Sequence, residues 1–94
     1  MIVEVLYFAE IKNITGKEQE KIELDKGHLG DLYNILIKKY GKKIKSIIWD
    51  EKKQEIHNLI SILINNKAVQ EKNPILVNLE NGDIVVFLMP VSGG

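Results

Sequence analysis

Few side chains in this sequence could do chemistry, and their spacing closes most routes. It contains no cysteine, which excludes disulfides, thiolate nucleophiles, persulfides and cysteine-held zinc. The two histidines, His28 and His57, lie far apart without a ligand-spaced partner, so no metal site is expected. Gly16-Lys17 and Gly41-Lys42 lack the five-residue lead and the following Ser or Thr of a phosphate loop, and read as turns. Asp31 and Asp83 have no second group spaced to share acid–base work; a helix cap and a turn residue are the better readings. Ser92 has no base within sequence reach and reads as tail spacing. No catalytic residue is expected. What stays open is "VFLMPVSGG", Val86 to Gly94, where an apolar run meets a proline and then two glycines. Glycines gain little from being ordered there, and a frayed terminus is the plain reading. The segments that precede Gly93 and Gly94 have to decide between that reading and a function.

Composition narrows the field further. Ninety-four residues suit one domain, 1–94, with a single core. Thirteen basic residues balance thirteen acidic ones, and every basic residue is lysine. Zero net charge without arginine argues against a nucleic-acid partner, which needs a positive field and favours the arginine fork. Lys38, Lys39, Lys42, Lys43 and Lys45 form a local patch, read as solvated charge near a helix C-terminus. The opening "MIVEVLYFAEI" lacks a basic n-region and carries Glu4, so it does not read as a signal peptide. No apolar run approaches the roughly 20 residues that span a bilayer. A cytoplasmic protein without a membrane partner is the expectation.

The elements that would position a reactive terminus can be traced in order. Residues 2–9 predict a strand, with Val3, Val5 and Tyr7 on one face and Glu4, Leu6 and Phe8 on the other. "EIKNITGK" reads as a connector, and residues 18–24 as a more polar strand with Ile22 and Leu24 inward, pairing with the first. Leu29, Leu32, Tyr33, Leu36, Ile37 and Tyr40 make a stripe on one helix face, with His28 at the N-cap and Gly41 as the stop. Ile44, Ile47 and Ile48 briefly continue helical spacing before a polar turn at 50–55. Residues 59–64 predict a strand, Asn65-Asn66 a tight turn, Ala68 and Val69 the return, and Asn73-Pro74 and 80–83 further turns. Residues 84–89 predict the last strand, which Pro90 ends.

Strand, strand, helix and further strands make an α+β sheet with one main helix across one face. One helix covers only one face, yet Ile84, Val86 and Leu88 alternate with Val85, Phe87 and Met89. Leu6 and Phe8 add to the uncovered side, where an antiparallel sheet facing water would be polar. These residues are either scattered or a patch that meets a partner, and the patch is favoured.

"VEVLYFAEIKNITGK", "LGDLYNILIKKYG", "ILINNKAV" and "NGDIVVFLMPVSGG" together resemble the MoaD/ThiS family of ubiquitin-like, β-grasp sulfur carriers over nearly the whole chain. Two positions depart from the family pattern: Met89 stands where many members have a first proline, and Asn66 where the hairpin often has glycine. The segment from Lys42 to Asn58 resembles members with an extra hairpin. The resemblance implies a mixed β-grasp sheet, with residues 90–94 as a flexible tail. It implies that a ubiquitin-activating-type adenylyltransferase (MoeB-like) uses ATP to adenylate the Gly94 carboxylate, which sulfur then converts to a thiocarboxylate. Pro90, Val91, Ser92 and Gly93 would thread partner active sites, and Gly93 and Gly94, lacking Cβ, would let backbone approach the nucleotide. Leu6, Phe8, Val86 and Leu88 would form the partner-binding apolar patch. The chain itself would bind no cofactor and act as the non-catalytic, sulfur-carrying subunit. The preferred pathway is molybdopterin (molybdenum cofactor) synthesis, with a MoaE-like large subunit of molybdopterin synthase as second partner. A ThiS-like thiazole carrier, a ubiquitin-related modifier or transfer-RNA thiolation carrier, and a plain interaction module remain as rivals.

Overall fold

The first and last strands lie side by side in the middle of the sheet, and the rest of the chain is arranged around that pair. The computed structural model describes residues 1–25 and 27–89. Strand β1 (Ile2–Leu6) runs parallel to β7 (Ile84–Leu88), with Val5 opposite Val85 and Leu6 opposite Val86. Strand β2 (Gln19–Glu23) pairs antiparallel on the other side of β1. Strand β5 (Ser61–Ile64) pairs antiparallel with β7, and the short β6 (Lys67–Ala68) closes that edge, giving the order β2-β1-β7-β5-β6.

Helix α2 (Leu29–Tyr40) covers one face, as its apolar stripe requires. Leu29, Leu32, Tyr33 and Leu36 are buried in one cluster with Val3, Val5, Ile62, Val85 and Phe87. Asp31 caps the helix start, its carboxylate accepting the His28 N–H at 3.1 Å. Gly41 ends it at φ 76° and ψ −152°, a backbone region adopted essentially by glycine alone. Gly30 permits a close approach on the far side: a Cβ there would lie 3.1 Å from Ile75 Cβ, in the 3₁₀ turn Pro74–Leu76.

Helical content exceeds the expectation of one main helix. The predicted connector after β1 is helix α1 (Ala9–Thr15), which buries Ile11 against the core. Its two apolar positions, Ile11 and Ile14, are too few to register as a period. The first strand therefore stops at Leu6 rather than reaching Ala9, and Ala9 turns the chain into the helix at φ 51°. Helix α3 (Lys42–Ile48) extends the short isoleucine spacing into a complete element, burying Ile44 and Ile48. The polar turn at 50–55 belongs to a small hairpin, β3 (Trp49–Asp50) with β4 (Glu55–Ile56), whose loop is 51–54. The strand expected from Leu59 begins at Ser61, and the one expected to end at Met89 ends at Leu88. The expectations for Pro90, Val91, Ser92, Gly93 and Gly94 concern residues outside the described ones.

One buried carboxylate ties three elements together. Glu20, opposite Val5, points to the helix side and is almost fully buried. Its Oε1 accepts the Tyr7 hydroxyl at 2.7 Å and the Tyr40 hydroxyl at 2.6 Å; its Oε2 accepts Lys17 Nζ at 2.8 Å and also Lys39 Nζ. Burial alone would raise this carboxyl, but hydrogen bonds from Lys17, Lys39, Tyr40 and Tyr7 outweigh it and hold the pKa at about 2. Burial and the same carboxylate push the Tyr7 and Tyr40 hydroxyls up.

Two predictions follow from these contacts. At the β5–β6 turn, Asn65 (φ 52°) and Asn66 (φ 69°) both adopt the left-handed conformation of a two-residue hairpin. Among the described residues only Asn65 is otherwise engaged: its amide donates to Asp83 Oδ1 at 2.8 Å and accepts the Ile84 N–H at 2.9 Å. In denaturant unfolding, Asn66→Gly should be neutral or stabilising by about 0.5 kcal/mol, whereas Asn65→Ala should cost about 2 kcal/mol. Equal effects at the two positions would refute this division of roles. The folded Glu20 carboxyl titrates below the unfolded one, so its contribution is complete above about pH 4.5 and drains away as pH falls toward 2. The difference in stability between the unaltered chain and Glu20→Gln should therefore shrink over that window, by roughly 3 kcal/mol at most. A difference that does not change between pH 6 and pH 2.5 would contradict the burial and pairing of this carboxylate.

Candidate functional site

Strand alternation builds the site from the face that α2 leaves uncovered. Residues 2, 4 and 6 of β1 share that face with residues 84, 86 and 88 of β7. Across β7, Leu63 pairs with Val86 and Ser61 with Leu88. On the β2 side the same face carries Gln19, Lys21 and Glu23, paired with Leu6, Glu4 and Ile2. An apolar band, Leu6–Val86–Leu63, thus crosses the middle strands, and charge is confined to the β2 margin and Glu4.

The four patch residues expected from the sequence reach this face in different ways. Leu6 and Leu88 are half-buried, available to a partner while anchored in the sheet. Phe8 is 48% exposed at the N-cap of α1, beyond the end of β1. Val86 belongs to the face but is only 7% exposed, between Leu6 and Leu63, so it forms the floor of the band rather than a projecting contact. Ile2 and Ile84 were not anticipated as patch members, yet they are 48% and 39% exposed at the opposite end of the same face. Alternation had already set Ile84 on one side with Val86 and Leu88, although it was not among the four named patch residues. A shallow cleft of about 350 Å³ runs beside them, bordered by Glu4, Lys21, Asn81 and Gly82.

The alternative chemical sites resolve into structural roles. Asp83 accepts the Glu80 N–H at 2.7 Å and the Asn65 amide, closing the turn before β7. Asp31 serves the helix cap, and Gly16 and Gly41 stand at helix ends. His57 Nδ1 accepts the Leu59 N–H at 3.2 Å. Among the described residues, no group of three or more His, Asp or Glu side chains is placed to hold a metal ion, and no helix is long and apolar enough to cross a membrane. Among the described residues, Glu20 is the one buried charge, and sequence reasoning passed it over. Its signal was present: Ile22 and Leu24 were placed inward, and period two carries that face back to residue 20.

Because β1 and β7 are parallel, both run out at the same end of the sheet. Met89, the last described residue, leaves β7 there, with Phe8 following β1 on one side and Ser61 opening β5 on the other. The apolar band therefore lies beside the base of the segment 90–94.

Solved structures share this architecture. Small archaeal modifier protein 1 from Haloferax volcanii superposes with a TM-score of 0.84 over 100% of both chains, at 22% identity. Its Methanosarcina acetivorans counterpart is 28% identical, with a TM-score of 0.80 over 99% of this chain and 96% of that one. A Pyrococcus furiosus protein described as molybdopterin converting factor subunit 1 is 26% identical, with a TM-score of 0.72 over 96% of this chain and 98% of that one. No curated protein matches the sequence significantly. The fold is the β-grasp of ubiquitin-like proteins. The sequence matches the ThiS family from residue 5 to residue 94, a span that includes the apolar band, the base of the tail and the two final glycines, and the chain belongs to that family of ubiquitin-like sulfur carriers.

Proposed function

We propose that this chain carries sulfur on its terminal glycine for molybdopterin synthesis. The observation that carries the reading is the placement of an unpaired apolar sheet face directly beside the base of residues 90–94. A carboxylate at neutral pH is a poor acyl donor, because attack would have to expel an oxide. In the proposed route the Gly94 carboxylate oxygen attacks the α-phosphorus of ATP and pyrophosphate leaves. A sulfide-level donor then attacks the acyl carbon and AMP leaves, so that Gly94 ends in a thiocarboxylate. The ATP site belongs to the activating partner, a MoeB-like adenylyltransferase. The chain contributes the carboxylate, the stalk Pro90, Val91, Ser92 and Gly93, and a docking face. A MoaE-like subunit, holding the pterin precursor, is the proposed acceptor of the sulfur. The likeness to the Pyrococcus furiosus protein supports this pathway.

A second reading has its own support, the likeness to the small archaeal modifier proteins. In that reading the same adenylate is captured by a lysine ε-amine of another protein, giving an isopeptide bond in place of a thiocarboxylate.

The two readings separate in one reaction. With activating enzyme, ATP and sulfide, intact-mass spectrometry should show oxygen replaced by sulfur, localised by fragmentation to Gly94. Deleting Gly94 should abolish the adduct without moving the thermal midpoint, because the carboxylate then stands about 3.3–3.6 Å short of its place. Isopeptide adducts without free thiocarboxylate would favour the modifier reading, and an unmodified chain would defeat both.

The docking face has a separate test in Phe8→Asp. Aspartate is a good N-cap and should support α1, so the fold is retained. A charge buried at the interface should nevertheless weaken association with either partner by about 2–4 kcal/mol. Unchanged affinity in isothermal titration would remove Phe8 from the interface.

A further inference from the structure

The end of the sheet from which residue 90 continues is apolar on both flanks, and only one flank belongs to the face described above. On the other side of β7, a cleft of about 240 Å³ is lined by Ser46, Ile47, His57, Leu59, Ile60 and Met89. Leu59 is 59% exposed, more than Phe8. It is not a loose side chain on a frayed loop. The turn that carries it is closed by the Ile60 N–H donating to His57 O at 2.9 Å, and is anchored to α3 through the His57 N–H and Ile48 O at 2.6 Å. The Leu59 N–H itself donates to His57 Nδ1. Two residues later Ser61 pairs with Leu88, so the turn stands next to Met89. A large apolar side chain is thus held out to solvent on a fixed backbone, beside a cleft whose wall is the base of the tail.

We propose that Leu59 and its cleft are a second docking surface for the enzyme that adenylates Gly94, which grips the chain from both sides of the tail. This rests on the carrier reading above. The reach of the tail selects the occupant. Residues 90–94 extend at most about 16–18 Å beyond Met89. An enzyme that encloses the Gly94 carboxylate together with ATP must bring its own surface within that distance of Met89. It therefore covers the ground immediately around the tail base, which is Phe8 on one flank and Leu59 on the other. Adenylation is also the step that the carrier and modifier readings share. The surface offered is an apolar knob at Leu59 beside the shallow cleft floored by Ile47 and Ile60. Lys43 stands in the adjoining cleft of about 430 Å³, which shares Ser46 and Ile47 with the first. The complementary enzyme surface presents an apolar recess for Leu59 and no cation facing Lys43.

The test is ATP–pyrophosphate exchange by the activating enzyme, titrated with the full-length chain. Leu59→Glu should raise the chain concentration for half-maximal exchange by about tenfold or more while leaving the maximal rate within about twofold, the pattern of lost binding rather than lost chemistry. Leu59→Ser should give a smaller rise in the same direction, and it serves as the readout if the glutamate variant proves unstable. Exchange by both variants indistinguishable from the unaltered chain would overturn this contact and leave the carrier reading intact. No exchange by the unaltered chain would overturn the carrier reading and this surface with it. A dimer of the unaltered chain in sedimentation, abolished by Leu59→Glu, would assign the cleft to a second copy and overturn the proposal.

Discussion

The parallel pairing of β1 with β7 is the constraint on which the rest of this structure depends. Val5 meets Val85 and Leu6 meets Val86 across nearly the whole length of the chain. Parallel neighbours cannot be joined by a tight turn, so everything between them must travel out and return. The route out is β2 and α2; the route back is α3, the small hairpin and β5. Such a non-local pairing brings its reward only after a long loop has been closed, which places this fold among the slower topologies for its size. In exchange, the two central strands end together. Whatever follows Leu88 is therefore positioned by the most deeply packed part of the molecule and not by an edge.

The same pairing explains where charge is tolerated. Glu20 lies on the inner face of the edge strand, which would be untenable for an isolated carboxylate. It is sustained because Tyr7, just after β1, and Tyr40 and Lys39, in the last turn of α2, converge on it together with Lys17. The cluster fixes the C-terminal end of the helix against the first two strands, at the end of the sheet that carries Phe8. The angle at which the helix crosses the sheet is thus set by hydrogen bonds at this end and by leucine packing elsewhere. Replacing Glu20 by an apolar residue would remove the desolvation cost but would orphan two tyrosine hydroxyls. The cluster has to be kept or lost as a unit.

Much of this was legible in the sequence, for identifiable reasons. The α2 stripe, its stop at Gly41, the Asn65-Asn66 turn and the two-faced apolar character of residues 84–89 are local patterns, and each appears where the pattern puts it. Helix α1 was missed because seven residues with only Ile11 buried carry too little periodicity to compete with a Gly-Lys turn signal. The hairpin of β3 and β4 was read as a polar turn because two-residue strands show no alternation, although the family resemblance had pointed to an extra hairpin in this stretch. Val86 was placed on the correct face, but its shielding by Leu6 and Leu63 depends on strand order, and strand order is not local information. Leu59 was read as strand. Only the turn closed by His57 makes it a projecting side chain, and that turn depends on where α3 packs.

In the proposed carrier reading, two-sided apolarity around Met89 is the counterpart of a short reach from the body to Gly94. A long, flexible tail would let a partner reach its end from a distance, and the body could be polar all round. If Gly94 is the group that enters an active site, as proposed, residues 90–94 give no such freedom, because every ångström of insertion brings the body an ångström closer. In that reading the rim around Met89 must lose its water whenever Gly94 is engaged. Apolar residues make that dehydration favourable, whereas lysines or carboxylates there would each need a partner. Phe8, Leu59, Leu88 and Met89 occupy this rim, while Lys39 nearby is paired with the buried Glu20. In the proposed carrier reading, the exposure of Phe8 and Leu59 at this end of the sheet follows from that short reach and from the strand pairing that fixes where residue 90 begins.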